Sequence, residues 1–178
     1  MFGKVSGKTK PGDSSQVLTE ADLEISKFLI DTIEKKFPQH NIIDEEAGVI
    51  DKKSDYTWVL DPIDGTAFFA HGVPFYGVMI GLMKQNEPYA GGVALPAFRG
   101  IYLAEKNQGA FFGKERLNID MLDLASVDIV AYAPASRSNN PKMTKKEGQF
   151  VAAIAQEFHL AHTGSVLDSM IVAKGQFG

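Results

Sequence analysis

Cysteine is missing from all 178 residues, which removes disulfide frameworks, thiolate nucleophiles and cysteine-based zinc sites together. Any metal must then be held by oxygen or imidazole, and hard-cation chemistry is what remains. An excess of positive charge is missing too, since 18 Lys and Arg stand against 22 Asp and Glu for a formal charge of −4. The early lysines Lys4, Lys8 and Lys10 are separated by Gly, Thr and Pro rather than massed, so nucleic acid is not expected as a partner. Met1 to Gly12 is polar and Gly-rich with no apolar targeting core, and the chain reads as cytoplasmic. The one long charge-free stretch, Gly65 to Met83, approaches the ~20 residues that span a bilayer. It carries four glycines, Pro74 and His71, so it reads as a loop followed by a buried strand, and no membrane partner is expected.

What is present supports a sizeable core, with 44% hydrophobic residues. Thr19 followed three residues later by Asp22 has the pattern of a capping box, and Ala21, Ile25, Phe28/Leu29 and Ile33 then recur at helical spacing up to Phe37-Pro38. A helix is expected over 20–36. Short apolar runs at 41–43, 57–60, 73–83, 89–95, 101–104 and 110–112, separated by turn residues, read as strands, several of them antiparallel. After residue 123 the texture changes to a strand over 127–132, a loop Ser136–Pro141, a helix near 144–158 and a helical run 166–173. The fold class expected is α/β in a layered arrangement: an α+β domain over 1–125, then 126–178 as the incomplete beginning of an α/β domain.

The most informative segment is Trp58-Val59-Leu60-Asp61-Pro62-Ile63-Asp64-Gly65-Thr66. Proline cannot donate to a ladder, so Asp61 is expected at the end of a strand and Asp64 in the turn beyond it. Gly65 permits an unusual φ or close ligand approach, and Thr66 is placed to cap the next turn with amides turned toward an anion. Upstream, Asp44-Glu45-Glu46 closes the apolar pair Ile42-Ile43. Adjacent acids at a strand end repel one another unless a cation lies between them. Composition alone reads the same acids as ordinary turn and cap residues.

A resemblance joins these pieces. Glu45-Glu46, the run WVLDPIDGT, and Phe69-x-His71-Gly72-x-Pro74-Phe75 together resemble the inositol monophosphatase family of magnesium-dependent, lithium-sensitive phosphatases. The likeness continues in Leu18-Thr19-Glu20-Ala21-Asp22, Gly91-Gly92-Val93 to Pro96, Gly109-Ala110-Phe111, and Gly164-Ser165 leading to Val172-Ala173-x-Gly175. It implies a layered sugar-phosphatase-type fold, and a chain short of the family pattern at both ends. It implies Glu45, Asp61 and Asp64 as metal-ligand carboxylates with the Ile63 carbonyl as a further ligand, Mg²⁺ as the cofactor, and Gly65 and Thr66 as the phosphate holders. Gly164 and Ser165 follow as substrate-binding residues. Thr66 is implied to activate water with an upstream acid, and Glu46 to act beside the ligands. The upstream position that is Asp in inositol phosphatases is Gln16 here, so Asp13 is expected as that acid, or else one metal site is weakened.

The function implied is hydrolysis of a small phosphate ester, inositol monophosphate-like or a sugar phosphate, by a homodimer. Two features are closer to the family's 3′(2′),5′-bisphosphate nucleotidases: Ser136-Arg137-Ser138, and the 11-residue step from Gly164 to Gly175. Arg137 is then placed to pair a second phosphate bidentately, its alternative being a surface-loop arginine. A non-catalytic homologue that binds metal or phosphate is the remaining reading. Other chemistries fit less well. Asp61 and Asp64 are spaced D-x-x-D, unlike the D-x-D of aspartyl-nucleophile phosphatases, and neither Ser165 nor Ser169 sits in G-x-S-x-G. His159 and His162 read as strand and turn, and His40 and His71 as structural.

Overall fold

In a computed structural model, residues 2–4, 8–10, 13–119, 127–132 and 141–177 are described. The chain divides into two compact units, Met1–Leu117 and Asn118–Gly178. The boundary expected near residue 125 falls among residues outside the described set.

The first unit opens with a small antiparallel pair, β1 (Lys8–Lys10) and β2 (Asp13–Leu18). Helix α1 (Glu20–Lys36) follows, over the span its periodicity predicts. Thr19 and Asp22 form the expected capping box, and acidic residues in the first turn with Lys35 and Lys36 in the last complement the helix dipole. Next come β3 (Asn41–Asp44), β4 (Gly48–Ile50), β5 (Tyr56–Asp64) and the short helix α2 (Thr66–Ala70). Strands β6 (Gly77–Lys84), β7 (Glu87–Leu95), β8 (Gly100–Glu105), β9 (Gly109–Phe112) and β10 (Glu115–Leu117) then meander. Together they form an eight-stranded sheet in the order β10-β9-β8-β7-β6-β5-β3-β4. Every pairing in it is antiparallel except β3 with β5.

Helix α1 lies on one face of this sheet. Ile33 packs with Ile42 of β3 and Leu60 of β5, flanked by Leu29, Ile30, Ile50, Trp58 and Ile80. A second cluster joins Ala21 of α1, Ile63 of β5 and Phe69 of α2, with Ile25 and Tyr76 against it. The second cluster fastens the start of α1 to the end of β5, where the candidate site lies, while the first seats the C-terminal half of α1 on β3 and β5. Phe28, expected on the apolar face, stands at 68% exposure.

Two expectations about β5 and α2 are corrected. Pro62 does not end the strand. β5 runs on to Asp64, and the missing N–H is absorbed by a bulge: Asp61 pairs with Met79 and Asp64 with Gly77, so two residues of β5 face one of β6. Thr66 does not cap α2 either. Gly65 is the N-cap, at φ 84° in the left-handed region that favours glycine, and Thr66 is the first helical residue.

The charge-free run Gly65–Met83 is α2, a loop turned at Pro74, and most of β6. Among the described residues no helix is long and apolar enough to cross a membrane.

The second unit holds β11 (Ile129–Ala131), α3 (Pro141–Ile154), β12 (His159–Ala161) and α4 (Leu167–Ala173). β11 and β12 pair in parallel across α3, so the strand–loop–helix beginning read from the sequence is completed as a β–α–β unit. Helix α3 begins and ends a few residues earlier than expected, and Pro141 opens it at a first-turn position that suits proline.

Candidate active site

The bulge in β5 decides where the carboxylates go. In a regular strand, residues three apart face opposite sides of the sheet. Asp61 and Asp64 escape this because the extra residue shifts the phase. Their partners Met79 and Gly77 are two apart, so both acids come to the same face. Glu45 joins them from the neighbouring strand: Asp44 is in register with Leu60, and the Glu45 N–H donates to the Leu60 carbonyl at 3.1 Å. The parallel ladder thus continues one residue past β3 and brings Glu45 alongside Asp61.

Thr66 is held between two acceptors. Its hydroxyl lies 3.0 Å from Asp22 Oδ1 and 2.8 Å from the Ile63 carbonyl, and the single hydroxyl proton serves them in turn. Asp22 is fully buried and uses both oxygens. Oδ2 accepts the Thr19 N–H at 2.8 Å and the Thr19 hydroxyl at 2.6 Å, while Oδ1 faces Thr66. One side chain therefore caps α1 and orients the threonine at the start of α2.

Asp22 is the functional candidate missed in the sequence, where it reads as a capping residue only. A signal was available: it is the terminal acid of the Leu18–Asp22 motif. The expected partner Asp13 opens β2, and its side chain, like that of Gln16, lies outside the described set. Arg137 and Ser136 are also outside the described residues. Gly164 and Ser165 belong to the second unit, in the turn before α4. There Gly164 takes φ 68°, and the Ser165 hydroxyl accepts the Leu167 N–H at 3.2 Å. Nearby, both oxygens of Asp168 accept the Thr163 N–H. His159 stands in β12 and His40 accepts the Trp58 indole N–H at 3.1 Å, in agreement with their structural reading.

Among the described residues no three acidic or imidazole side chains draw together as a ready-made metal cage. The donor set still suits one cation. Glu45, Asp61, Asp64 and the Ile63 carbonyl offer only hard oxygen, and Mg²⁺ is typically held by one or two carboxylates while keeping several of its waters. A closed protein cage is not what that ion requires.

A model of the inositol monophosphatase family matches residues 3–178. The chain belongs to this family. It is similar to the fructose-1,6-bisphosphatase/inositol-1-monophosphatase of Thermotoga maritima, at 36% identity over 118 residues, 66% of this chain and 45% of that protein. It is also similar to the histidinol-phosphatase of Chlorobaculum parvum, at 32% identity over 131 residues, 74% of this chain and 51% of the relative. Among solved structures, the Thermotoga maritima IMPase matches with a TM-score of 0.83 at 29% identity, covering 99% of this chain and 66% of that one. The mixed α/β architecture of this family member is therefore the family's fold. The chain spans about half the length of the curated relatives it matches.

Proposed function

We propose that the protein is a Mg²⁺-dependent phosphomonoesterase acting on a small phosphorylated metabolite, inositol monophosphate-like or a sugar phosphate. The observation that carries this reading is the Thr66 hydroxyl, poised between Asp22 Oδ1 and the Ile63 carbonyl beside a bulge that turns Asp61 and Asp64 to one face. Glu45, Asp61, Asp64 and the Ile63 carbonyl are the groups that would hold the metal. When bound there, Mg²⁺ supplies charge to neutralise phosphoryl oxygens and makes a water more acidic.

The chain's own residues do the rest. Thr66 Oγ1 accepts a proton from the attacking water as its own proton passes to Asp22 Oδ1, general-base work through a hydroxyl relay. The Gly65 and Thr66 amides and the Thr66 hydroxyl orient the phosphate, and Glu46, next to Glu45, helps order water at the same edge. On this reading Asp22 takes the role first expected of Asp13. Gly164, Ser165 and Arg137 remain the proposed contacts to the rest of the substrate. A homodimer and a cytoplasmic setting belong to the same proposal.

The test is phosphate release by the intact natural protein with and without Mg²⁺. The substrates are inositol 1-phosphate, fructose 1,6-bisphosphate, histidinol phosphate and adenosine 3′,5′-bisphosphate. Metal-dependent turnover that Asp61→Asn abolishes supports the site, and full activity in that variant removes it. A preference for the adenosine bisphosphate that Arg137→Ala erases turns the reading to the nucleotidase branch, as the Gly164–Gly175 spacing suggests.

A further inference from the structure

Asp44 is the second buried acid of the first unit to work through helix α1. It ends β3 at 3% exposure, and its Oδ1 accepts three hydrogen bonds: from the Ser26 hydroxyl at 2.7 Å, the Glu46 N–H at 2.9 Å and the Ala47 N–H at 2.7 Å. Its Oδ2 is buried with no hydrogen-bond partner among the described residues. Keeping a carboxylate in such a place is costly, because an unsatisfied buried oxygen loses its hydration without compensation. Turn closure does not demand an acid here. Asn, or more weakly Ser or Thr, closes an Asx-type turn onto the two following amides. The side chain at this position does more than close the turn, because the same Oδ1 acceptor also ties it to a helix residue 18 positions upstream.

The segment so tied is the one that carries Glu45 and Glu46. Glu45 is fixed on one side by its N–H to the Leu60 carbonyl, and the two residues after it are fixed through their amides on Asp44. Ser26 lies four residues after Asp22, on the same face of α1, and both are buried. One helix face therefore holds two tethers: Asp22 to Thr66 at the end of β5, and Ser26 to Asp44 at the end of β3.

We propose that Asp44, braced by Ser26, is a positioning residue that sets Glu45 and Glu46 relative to Asp61, so that α1 aligns both strand ends of the site. This rests on the phosphatase reading of those acids. Asp44 itself touches neither metal nor substrate. Residues that orient metal ligands in this manner typically change metal affinity tenfold to a hundredfold when removed.

The experiment measures Mn²⁺ uptake by electron paramagnetic resonance, together with hydrogen exchange at the Glu46 and Ala47 amides, in the intact natural protein. Asp44→Ala is expected to weaken Mn²⁺ binding about tenfold or more and to speed exchange at both amides. Asp44→Asn, which keeps the Oδ1 acceptor, is expected to restore both readouts to within about threefold. Ser26→Ala leaves the two amide bonds in place and is expected to weaken Mn²⁺ binding by about threefold; it decides the matter if Asp44→Ala does not fold. Unchanged Mn²⁺ affinity in Asp44→Ala or Ser26→Ala, or an Asn variant as impaired as Ala, overturns the proposal while leaving the phosphatase reading intact. Absence of Mn²⁺ uptake by the unaltered protein overturns that reading, and this proposal with it.

Discussion

Replacing Asp22 with asparagine separates the two tasks of that side chain. The amide keeps one acceptor oxygen and gains an NH₂, so it must choose a side. With its oxygen toward Thr19 it retains the bonds from the Thr19 N–H and hydroxyl, at 2.8 and 2.6 Å in the unaltered protein. Its NH₂ then meets the Thr66 hydroxyl, which still donates to the Ile63 carbonyl at 2.8 Å. The opposite orientation loses two acceptor contacts instead of one, a difference of about 1 kcal/mol, so the first prevails. Charge-assisted bonds are roughly twice as strong as neutral ones; weakening two and inverting the third costs about 1–2 kcal/mol in total. For a chain of this size that lowers the melting temperature by roughly 2–8 °C. The chemical loss is far larger. An NH₂ cannot take the proton that Thr66 must release, so phosphate release should fall by about 10²–10⁴-fold. Initial rates at saturating Mg²⁺, with thermal melting followed by circular dichroism, read both numbers from one preparation. Activity within about threefold of the unaltered protein would refute the relay and leave Asp22 a helix cap alone.

Three further outcomes test the packing around that site. Gly65→Ala places a side chain at φ 84° and should cost about 1–2 kcal/mol, seen as a lower urea midpoint; no change would show that the left-handed cap is not required. Ile42, completely buried between α1 and β5, should cost about 2–5 kcal/mol when cut to alanine, whereas Ile101→Ala at 56% exposure should stay within about 0.5 kcal/mol. Equal urea midpoints for the two variants would misplace the core. The Tyr132 hydroxyl donates to Glu147 at 2.6 Å, and loss of hydration, aided by that bond, pushes its pKa up to about 12 from 10.0. Because the folded value is raised, its stabilising effect is complete below about pH 10 and is lost as pH climbs toward 12. A phenolate absorbance titration should therefore show a late tyrosine that Glu147→Gln brings partway back. All five tyrosines ionising together would contradict it.

Helix α1 was open to reading because its signals are local: a capping box, an apolar stripe and a proline stop all lie within 20 residues. The same locality hid the second task of Asp22. Nothing in the spacing of Thr19 and Asp22 says that the other carboxylate oxygen meets a hydroxyl 44 residues away. Strands β4 and β10, three residues each, are too short for alternation to register. Asp44 was legible as an acid at a strand end. Its bond to Ser26 depends on α1 lying across β3 and β5, which is a property of the packed sheet.

The Asp61-Pro62-Ile63-Asp64 segment shows how a sound rule led to the wrong local geometry. Proline lacks a donor, so a strand end at Asp61 is the simplest solution; a bulge is the other. The functional consequences differ. If the strand ended at Asp61, Asp64 would hang in a turn with its direction set by loop geometry alone. With the bulge, Asp64 remains in the ladder opposite Gly77, two residues from the partner of Asp61, and the sheet itself fixes both acids on one face. A spacing of three is wrong for two ligands on a regular strand and right for two ligands flanking a one-residue bulge. The proline between them is thus part of the reason the carboxylates can act together. Replacing Pro62 with a residue able to donate to the ladder, such as alanine, removes the need for the bulge. If β5 regularises, Asp64 turns to the opposite face and Mn²⁺ binding should fall, while loss of the fully buried Pro62 ring and of its restraint on the unfolded chain lowers the melting temperature. Metal affinity equal to that of the unaltered protein would mean that the Asp64–Gly77 register, rather than the proline, maintains the bulge.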